Sequence, residues 1–379
     1  MKKILMVENQ EFLSDVKIGS HHYAELFAEN GYEVLWLSPA FSLLHFWGNK
    51  KLFKQRIHLY KNIKTEFKPN ILGYAPFTLI PFIKTPPLNT NYIGETYLNT
   101  SIPNIKNVLK KLDFLNVDIL WISNIKMYSI KNFVNYNKLV HRLADEKTGF
   151  KGFYSTLENF ENRLIEESDI LFATSQLLVD KSKKIRTNET IYLPNGVNYM
   201  DFQRDIFEFP SEYEDIKFKK KCVYIGAIAE WLDKDLIEYS LKQLPDIEFI
   251  FIGPDHGGLS GLEGFKNLHI LGKKSYESLP NYLHYSDLAI IPFKINKLTD
   301  AINPVKLFEY LATGTPTLTT NFKEMTFVNG PFEVSATKEE FVSKVKMMTN
   351  EKFDKELLQQ YAKKNDWRER FKIIIDNIN

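Results

Sequence analysis

The chain has 379 residues, 44% of them apolar, which is enough material for two sizeable cores and makes two domains the default expectation. Its formal net charge is only +2, and its single cysteine, Cys222, excludes an internal disulfide and a cysteine-cluster metal site. No uncharged apolar window reaches membrane-spanning length, and the opening MKKILMVEN turns polar too soon for a signal peptide, so a cytosolic or peripheral protein is expected.

In chain order, KKILMV at 2–7 has the unbroken apolar character of a buried parallel strand. A polar loop follows, then a helical stretch containing His21 and His22 that Gly31 ends, then the strand VLWL. This strand, loop, helix, strand order opens a doubly wound α/β domain, in which ligands lie beyond the carboxyl ends of the strands. Residues 41–100 break the rhythm. Between His45 and Lys84 stand Lys50, Lys51, Lys54, Arg56, Lys61, Lys64, Lys68 and Lys84 against one acid, Glu66, interleaved with Phe46, Trp47, Phe53 and Tyr60. Such a basic, aromatic block suits the surface of an anionic bilayer, although a solvated basic face would read the same way. No recognised nucleic-acid module accompanies it, so no nucleic-acid partner is expected.

VDILWIS at 117–123 reads as a strand, with a helix expected near 130–136, and KLVHRLAD at 138–145 as another strand ending in Asp145 and Glu146. STLENFENRLIEESD gives a helix, ILFATS a strand, and TIYLPNGVNYMDF leads into the second half. There the plan repeats: KKKCVYIG, a loop, a helix and IEFIFIGP, then NLHILG and further units, which argues for a second parallel sheet. The stretch 297–320, KLTDAINPVKLFEYLATGTPTLTT, runs from a polar loop through a short amphipathic helix into a β-branched strand. Asn303 reads as the N-cap and Pro304 as the first helical residue; Leu307, Tyr310 and Leu311 share a core-facing stripe. The free amides of a helix start, its positive dipole end and the Lys306 ammonium make an anion site suited to a diphosphate, and Glu309 one turn on suits vicinal ribose hydroxyls.

Asn303, Pro304, Lys306, Glu309, Tyr310, Leu311, Ala312, Gly314 and Pro316 together resemble the donor-binding motif of nucleotide-sugar glycosyltransferases with the GT-B fold, nearest to the teichuronic-acid-type polysaccharide group. The resemblance covers the C-terminal half with good specificity and the N-terminal half in patches. It implies an α/β protein of two Rossmann-like, doubly wound domains facing a central cleft. An acceptor-binding domain at 1–199 is joined by a last helix, 366–379, that packs back on it, and a donor-binding domain occupies 200–365. It also implies donor contacts at Gly226, Glu230, Trp231, Gly272, Lys273, Pro304, Val305, Lys306 and Glu309. No cofactor and no metal is expected, since Lys306 and the amides of Val305 and Lys306 would neutralise the leaving diphosphate. The resemblance also points to Glu161 and Asp169, spaced E-x7-D on and after the helix at 155–169.

Many retaining members carry a carboxylate eight residues before the position of Glu309; here that position is Ala301, with Asp300 beside it. Either the reaction inverts, or it retains through backbone contacts. An inverting reaction needs a base near the acceptor hydroxyl. Asp145 leads as the candidate, Glu146 follows, and His22 could orient the acceptor or touch the donor phosphates. A strand-end acid pair and a helix-start histidine also serve as caps and ion pairs. The function these residues fit is transfer of a sugar from a nucleoside diphosphate, UDP above others, to a lipid-linked or polysaccharide acceptor at the inner face of the cell membrane. A GT-B sugar-nucleotide epimerase, a phosphorylase relative and a non-catalytic scaffold are the competing readings.

Overall fold

The computed structural model describes residues 1–14, 17–144, 146 and 154–378, and of Trp47 the backbone alone. The chain divides into two compact units, Met1–Leu193 with Phe371–Asn379, and Pro194–Arg370.

The first unit is built on an eight-stranded sheet of β1 (Lys2–Val7), β2 (Tyr32–Leu37), β3 (Thr65–Lys68), β4 (Ile71–Tyr74), β5 (Asn116–Ile122), β6 (Asn135–Leu143), β7 (Ile170–Ala173) and β8 (Thr190–Tyr192), in the order β3-β4-β2-β1-β5-β6-β7-β8. Every pairing is parallel except β3 with β4, an edge hairpin turned through Asn70 at φ 65. Central strands are apolar along their length because helices cover both faces, and Trp36 and Trp121 are fully buried among them. Register is pinned by aspartates at strand starts. Asp118 Oδ2 accepts from the Lys3 amide at 2.7 Å and Asp169 Oδ2 from the Leu139 amide at 2.6 Å. These carboxylates satisfy amides that the ladders leave unpaired.

The second unit holds a fully parallel sheet of β9 (Lys220–Ile225), β10 (Ile247–Ile252), β11 (Leu268–Gly272), β12 (Leu288–Ile291), β13 (Thr317–Thr320) and β14 (Glu333–Ser335), ordered β11-β10-β9-β12-β13-β14. Asp287 repeats the same device, accepting from the Lys221 amide at 2.9 Å. Cys222 is a buried core residue of β9.

Several elements differ from the sequence-based expectations. The helix placed near 130–136 is a 3-10 segment, Ile125–Asn132, and β6 already begins at Asn135. Asn124 Oδ1 accepts from the Lys126 amide at 3.1 Å and starts this turn, whose Ile125, Met127, Tyr128 and Ile130 are buried, and the strand that follows takes up residues the helix was expected to use. Residues 41–100 contain the helix Lys50–Lys61, capped by Asn49, and the β3–β4 hairpin. The division between units falls after Leu193 rather than 199 and the return to the first unit begins at Phe371 rather than 366. The physical reason is a short parallel bridge: the Val197 amide donates to the Asn365 carbonyl at 3.1 Å and the Trp367 amide to the Val197 carbonyl at 3.0 Å. Beyond it, Phe371 packs edge-on against Phe27 at 4.9 Å and Lys138 Nζ reaches the Ile378 carbonyl at 2.7 Å.

Candidate functional site

In the second unit, the carboxyl ends of β9, β10 and β11 carry glycines with positive φ, Gly226 at 151, Gly253 at 152 and Gly272 at 66. A Cβ on Gly253 would sit 2.0 Å from the Gly226 carbonyl oxygen, so glycine there lets two loops meet backbone to backbone. A Cβ on Gly226 would sit 3.1 Å from Cε and Nζ of Lys306 and 2.8 Å from the Tyr224 hydroxyl. The space above Gly226 is therefore where the Lys306 ammonium lies.

Lys306 comes from the helix Val305–Ala312. The helix begins one residue later than its sequence suggests: Pro304 is the N-cap, and no side chain caps it. Asn303 is otherwise engaged. Its Oδ1 accepts from the Asn195 amide at 3.0 Å and its Nδ2 donates to Glu324 at 3.3 Å, so the helix-start amides are not consumed by a side-chain cap. Leu307, Tyr310 and Leu311 are fully buried. The Tyr310 hydroxyl also accepts from the Ile225 amide at 2.8 Å and donates to the Ile225 carbonyl at 3.1 Å, which fixes the helix against the residue just before Gly226.

The Lys306 ammonium lies 4.8 Å from the centroid of Phe293 and 5.2 Å from that of Tyr224. Two ring faces hold its position while leaving its N–H groups available. Among the described residues it has no hydrogen-bond acceptor and no salt-bridge partner. One turn on, Glu309 is half-buried, and Oε1 accepts from the Tyr276 hydroxyl at 3.2 Å. Burial lifts its carboxyl from the ordinary 4.5 to about 7, with Lys306 pulling the other way and Asp201 adding to the rise. Trp231 is half-buried with its indole N–H 3.5 Å from the Tyr224 hydroxyl, and Glu230 is exposed. Gly272 ends β11 with its carbonyl accepting from Gly253 at 3.0 Å, and Lys273 follows it, exposed. Gly226, Pro304, Val305, Lys306 and Glu309 thus form one edge with Trp231 beside them. Tyr276, Tyr224 and Phe293 belong to that edge and carry no motif; only an aromatic ending each of two apolar runs, KCVYIG and AIIPF, marks the latter two.

In the first unit, Asp145 lies outside the described residues. Glu146 pairs with Lys181 at 3.2 Å, and Lys181 also binds the buried Glu161 at 2.9 Å. His22 is half-buried on the helix Gly19–Glu29, and burial, reinforced by Lys17, pushes its imidazole down to about 4, so it is neutral at pH 7. His21 is the buried neighbour: its Nδ1 accepts from the Ile18 amide at 3.0 Å, which caps that helix. Sequence reasoning passed over Glu8 and Glu11. Glu8, just beyond β1, is fully buried and accepts from the Ser123 hydroxyl at 3.0 Å; Glu11 accepts from Arg56 Nε at 2.7 Å. The signal was the run ENQE directly after a buried strand.

Residues 6–174 match the family described as Glucuronosyltransferase GumK, N-terminal domain. The chain is 26% identical over 238 residues to the putative teichuronic acid biosynthesis glycosyltransferase TuaH of Bacillus subtilis, a match covering 58% of this chain and 59% of that protein's length. Its fold is similar to that of HepE from Anabaena, solved in complex with UDP, at TM-score 0.66 and 12% identity over 100% of this chain and 99% of that one. It is also similar to sucrose-phosphate synthase from Thermosynechococcus elongatus, at TM-score 0.67 and 13% identity over 98% and 94%. The chain has the GT-B fold, and it resembles the nucleotide-sugar glycosyltransferases of the teichuronic-acid type.

Proposed function

We propose that the protein is a glycosyltransferase that moves a sugar from a UDP-sugar to a hydroxyl of a lipid-linked or polysaccharide acceptor in cell-surface glycan synthesis. The observation that carries this is the Lys306 ammonium, bracketed by Phe293 and Tyr224 over Gly226 at the start of an uncapped helix. The amides of Val305 and Lys306, the dipole end and the ammonium converge where a diphosphate would carry most charge at the transition state. Glu309, when ionised, accepts from the two ribose hydroxyls, displacing Tyr276. Gly272 and Lys273 border the base; Glu230 and Trp231 border the sugar. No cofactor and no metal is invoked, because Lys306 and the helix start supply the neutralising charge.

Inversion is the outcome these residues favour. Position 301 is a buried alanine, and Asp300 is turned to accept from the Lys323 amide at 2.9 Å, which leaves no carboxylate there for the donor sugar. In an inverting step the acceptor oxygen bonds the anomeric carbon as the bond from that carbon to the diphosphate oxygen breaks. The hydroxyl proton passes to a base, which we assign to Asp145, and UDP leaves. Glu146, held by Lys181, serves the ion-pair network, and His22, neutral at pH 7, orients the acceptor.

The basic block at 45–84 makes the peripheral membrane contact at the cytoplasmic face in this reading. Leu43, Leu44, Phe46 and Leu52 are exposed beside exposed Lys50, Lys51 and Lys54, the mixture an anionic lipid surface recognises. Phe53 and Tyr60, grouped with that surface by sequence, instead pack with Phe41 and Phe77 inside the unit. Among the described residues no helix is long and apolar enough to cross a membrane. The deciding assay incubates the protein with a panel of UDP-sugars and bacterial lipid extract. One UDP released per sugar transferred, with the anomer inverted, supports the reading; UDP-sugar turnover without an acceptor, or no turnover of any sugar nucleotide, sinks it.

A further inference from the structure

The helix Val305–Ala312 has a second end. At its C-terminal side, Thr313 lines a cavity of about 390 Å³ together with Arg204, His284, Lys355 and Gln359, while Asp205 is the one acid at its rim. The donor edge contributes no residue to it, and an eight-residue helix separates the two ends by about 12 Å. The cavity is open to solvent, with Lys355 exposed and Arg204, His284 and Gln359 half-buried around it. Among the described residues, neither the Lys355 ammonium, nor the His284 ring, nor the Gln359 amide has a hydrogen-bond or ion-pair partner. Their positions are nonetheless fixed. The His284 ring stacks on Phe207 at 4.0 Å, with an interplanar angle of 12°, and meets Tyr285 edge-on at 4.9 Å. Lys355 opens the helix Lys355–Lys364 and its methylenes lie against Gly314, where a Cβ would be 3.1 Å away. Arg204 is anchored through Nε to the Asp201 carbonyl at 2.9 Å and through one terminal nitrogen to the Glu277 carbonyl at 2.8 Å, leaving its other terminal nitrogen to point elsewhere. Burial, and after it the Lys355 ammonium, lowers the pKa of the His284 imidazole.

Two cations, an imidazole and an amide around a cavity of this size suit a phosphate group carried on a molecule of about monosaccharide size. The single rim acid does not offset two cations, and the Phe207 face is already covered by His284, so a stacked base is not what the cavity selects. We propose that the second unit carries a binding site for a small phosphorylated metabolite at the C-terminal end of the motif helix, formed by Arg204, His284, Lys355 and Gln359 and separate from the donor edge. This goes beyond the transferase reading and does not require it.

The test is calorimetric titration of the full chain, with UDP present in excess, using inorganic phosphate, a hexose monophosphate and the free hexose as probes. Binding of the hexose monophosphate but not of the free hexose is expected. Phosphate binding as tightly as the ester assigns the site to the free anion; ester binding at least about 10-fold tighter assigns it to the sugar phosphate. Lys355→Gln and Gln359→Glu should each weaken binding by about 10-fold or more. Absence of binding by either phosphate probe, or undiminished affinity in both cavity variants, would overturn the proposal. If UDP itself fails to bind while the ester does, the transferase reading falls and this one stands.

Discussion

The carboxyl edges of the two sheets are polar in opposite ways. At the second, the central cation is held, among the described residues, by aromatic faces alone, and its neighbouring carboxyl sits half-buried with a tyrosine hydroxyl donating to it. At the first, the charged groups have partners, Glu8 with Ser123, Glu11 with Arg56, Glu146 with Lys181, His21 with Ile18, while among the described residues the buried hydroxyls of Ser20 and Ser38 and the Gln10 side-chain oxygen have none. A site that awaits an ion keeps a charge without a counter-ion, at some cost to stability. The first edge instead pairs its charges and leaves neutral polar groups over, which a ligand bearing hydroxyls can satisfy. Under the proposed function the difference suits a diphosphate on one edge and a sugar acceptor on the other.

The comparison breaks most visibly at Lys306. Lys306→Ala should lower transfer by about 10³-fold with the fold intact, as circular dichroism and melting would record; a loss under about 10-fold would mean the edge does not stabilise a leaving diphosphate. Next is the glycine contact that shapes the edge. Gly253→Ala pushes a methyl into the Gly226 carbonyl and should destabilise the protein by about 3 kcal/mol in urea unfolding. An unchanged midpoint would show that the two loops can part freely.

Glu309 sharpens the comparison through pH. Its carboxyl is raised to about 7 in the fold from an ordinary 4.5. The neutral form therefore favours folding, a contribution complete below about 4.5 and lost as pH rises through about 7. Above pH 7 Glu309→Gln should stabilise the unliganded protein, by on the order of 2 kcal/mol after allowance for partial exposure, and the gain should vanish near pH 4. The same variant should weaken UDP binding about 10-fold while leaving UMP no tighter than UDP. For the wild type, UDP affinity should fall as pH drops from 8 to 6, since the ribose needs the carboxylate. The smallest effect tests the first edge: Arg56→Ala leaves Glu11 buried without its partner and should cost about 1–3 kcal/mol of stability with UDP affinity unchanged.

Much of the architecture was legible because parallel strands buried on both faces announce themselves: KKILMV, VDILWI and IEFIFI needed only their unbroken apolar character. The motif helix was legible from Leu307, Tyr310 and Leu311. Its start was not, because Asn303 has the side chain of a cap and a different occupation, bonding Asn195 and Glu324 from distant parts of the chain. Local preference could not foresee those partners. Nor could it tell which aromatics of the basic block turn inward, as Phe53 does, and which stay exposed, as Phe46 does, since helix phase was hidden by the density of lysines. The carboxyls of Glu8 and Glu11 were missed for the opposite reason: acids after a strand read as loop, and only the packing of Ser123 and Arg56 against them shows them to be interior.

In the proposed reaction the helix start and Lys306 grip a doubly charged group. The most direct measurement is calorimetric titration of UDP and of uridine into wild-type protein and Lys306→Ala. The predicted result is UDP affinity at least about 100-fold weaker in the variant, with uridine binding equal in the two. Equal UDP affinity in both proteins would place the diphosphate elsewhere and contradict the account.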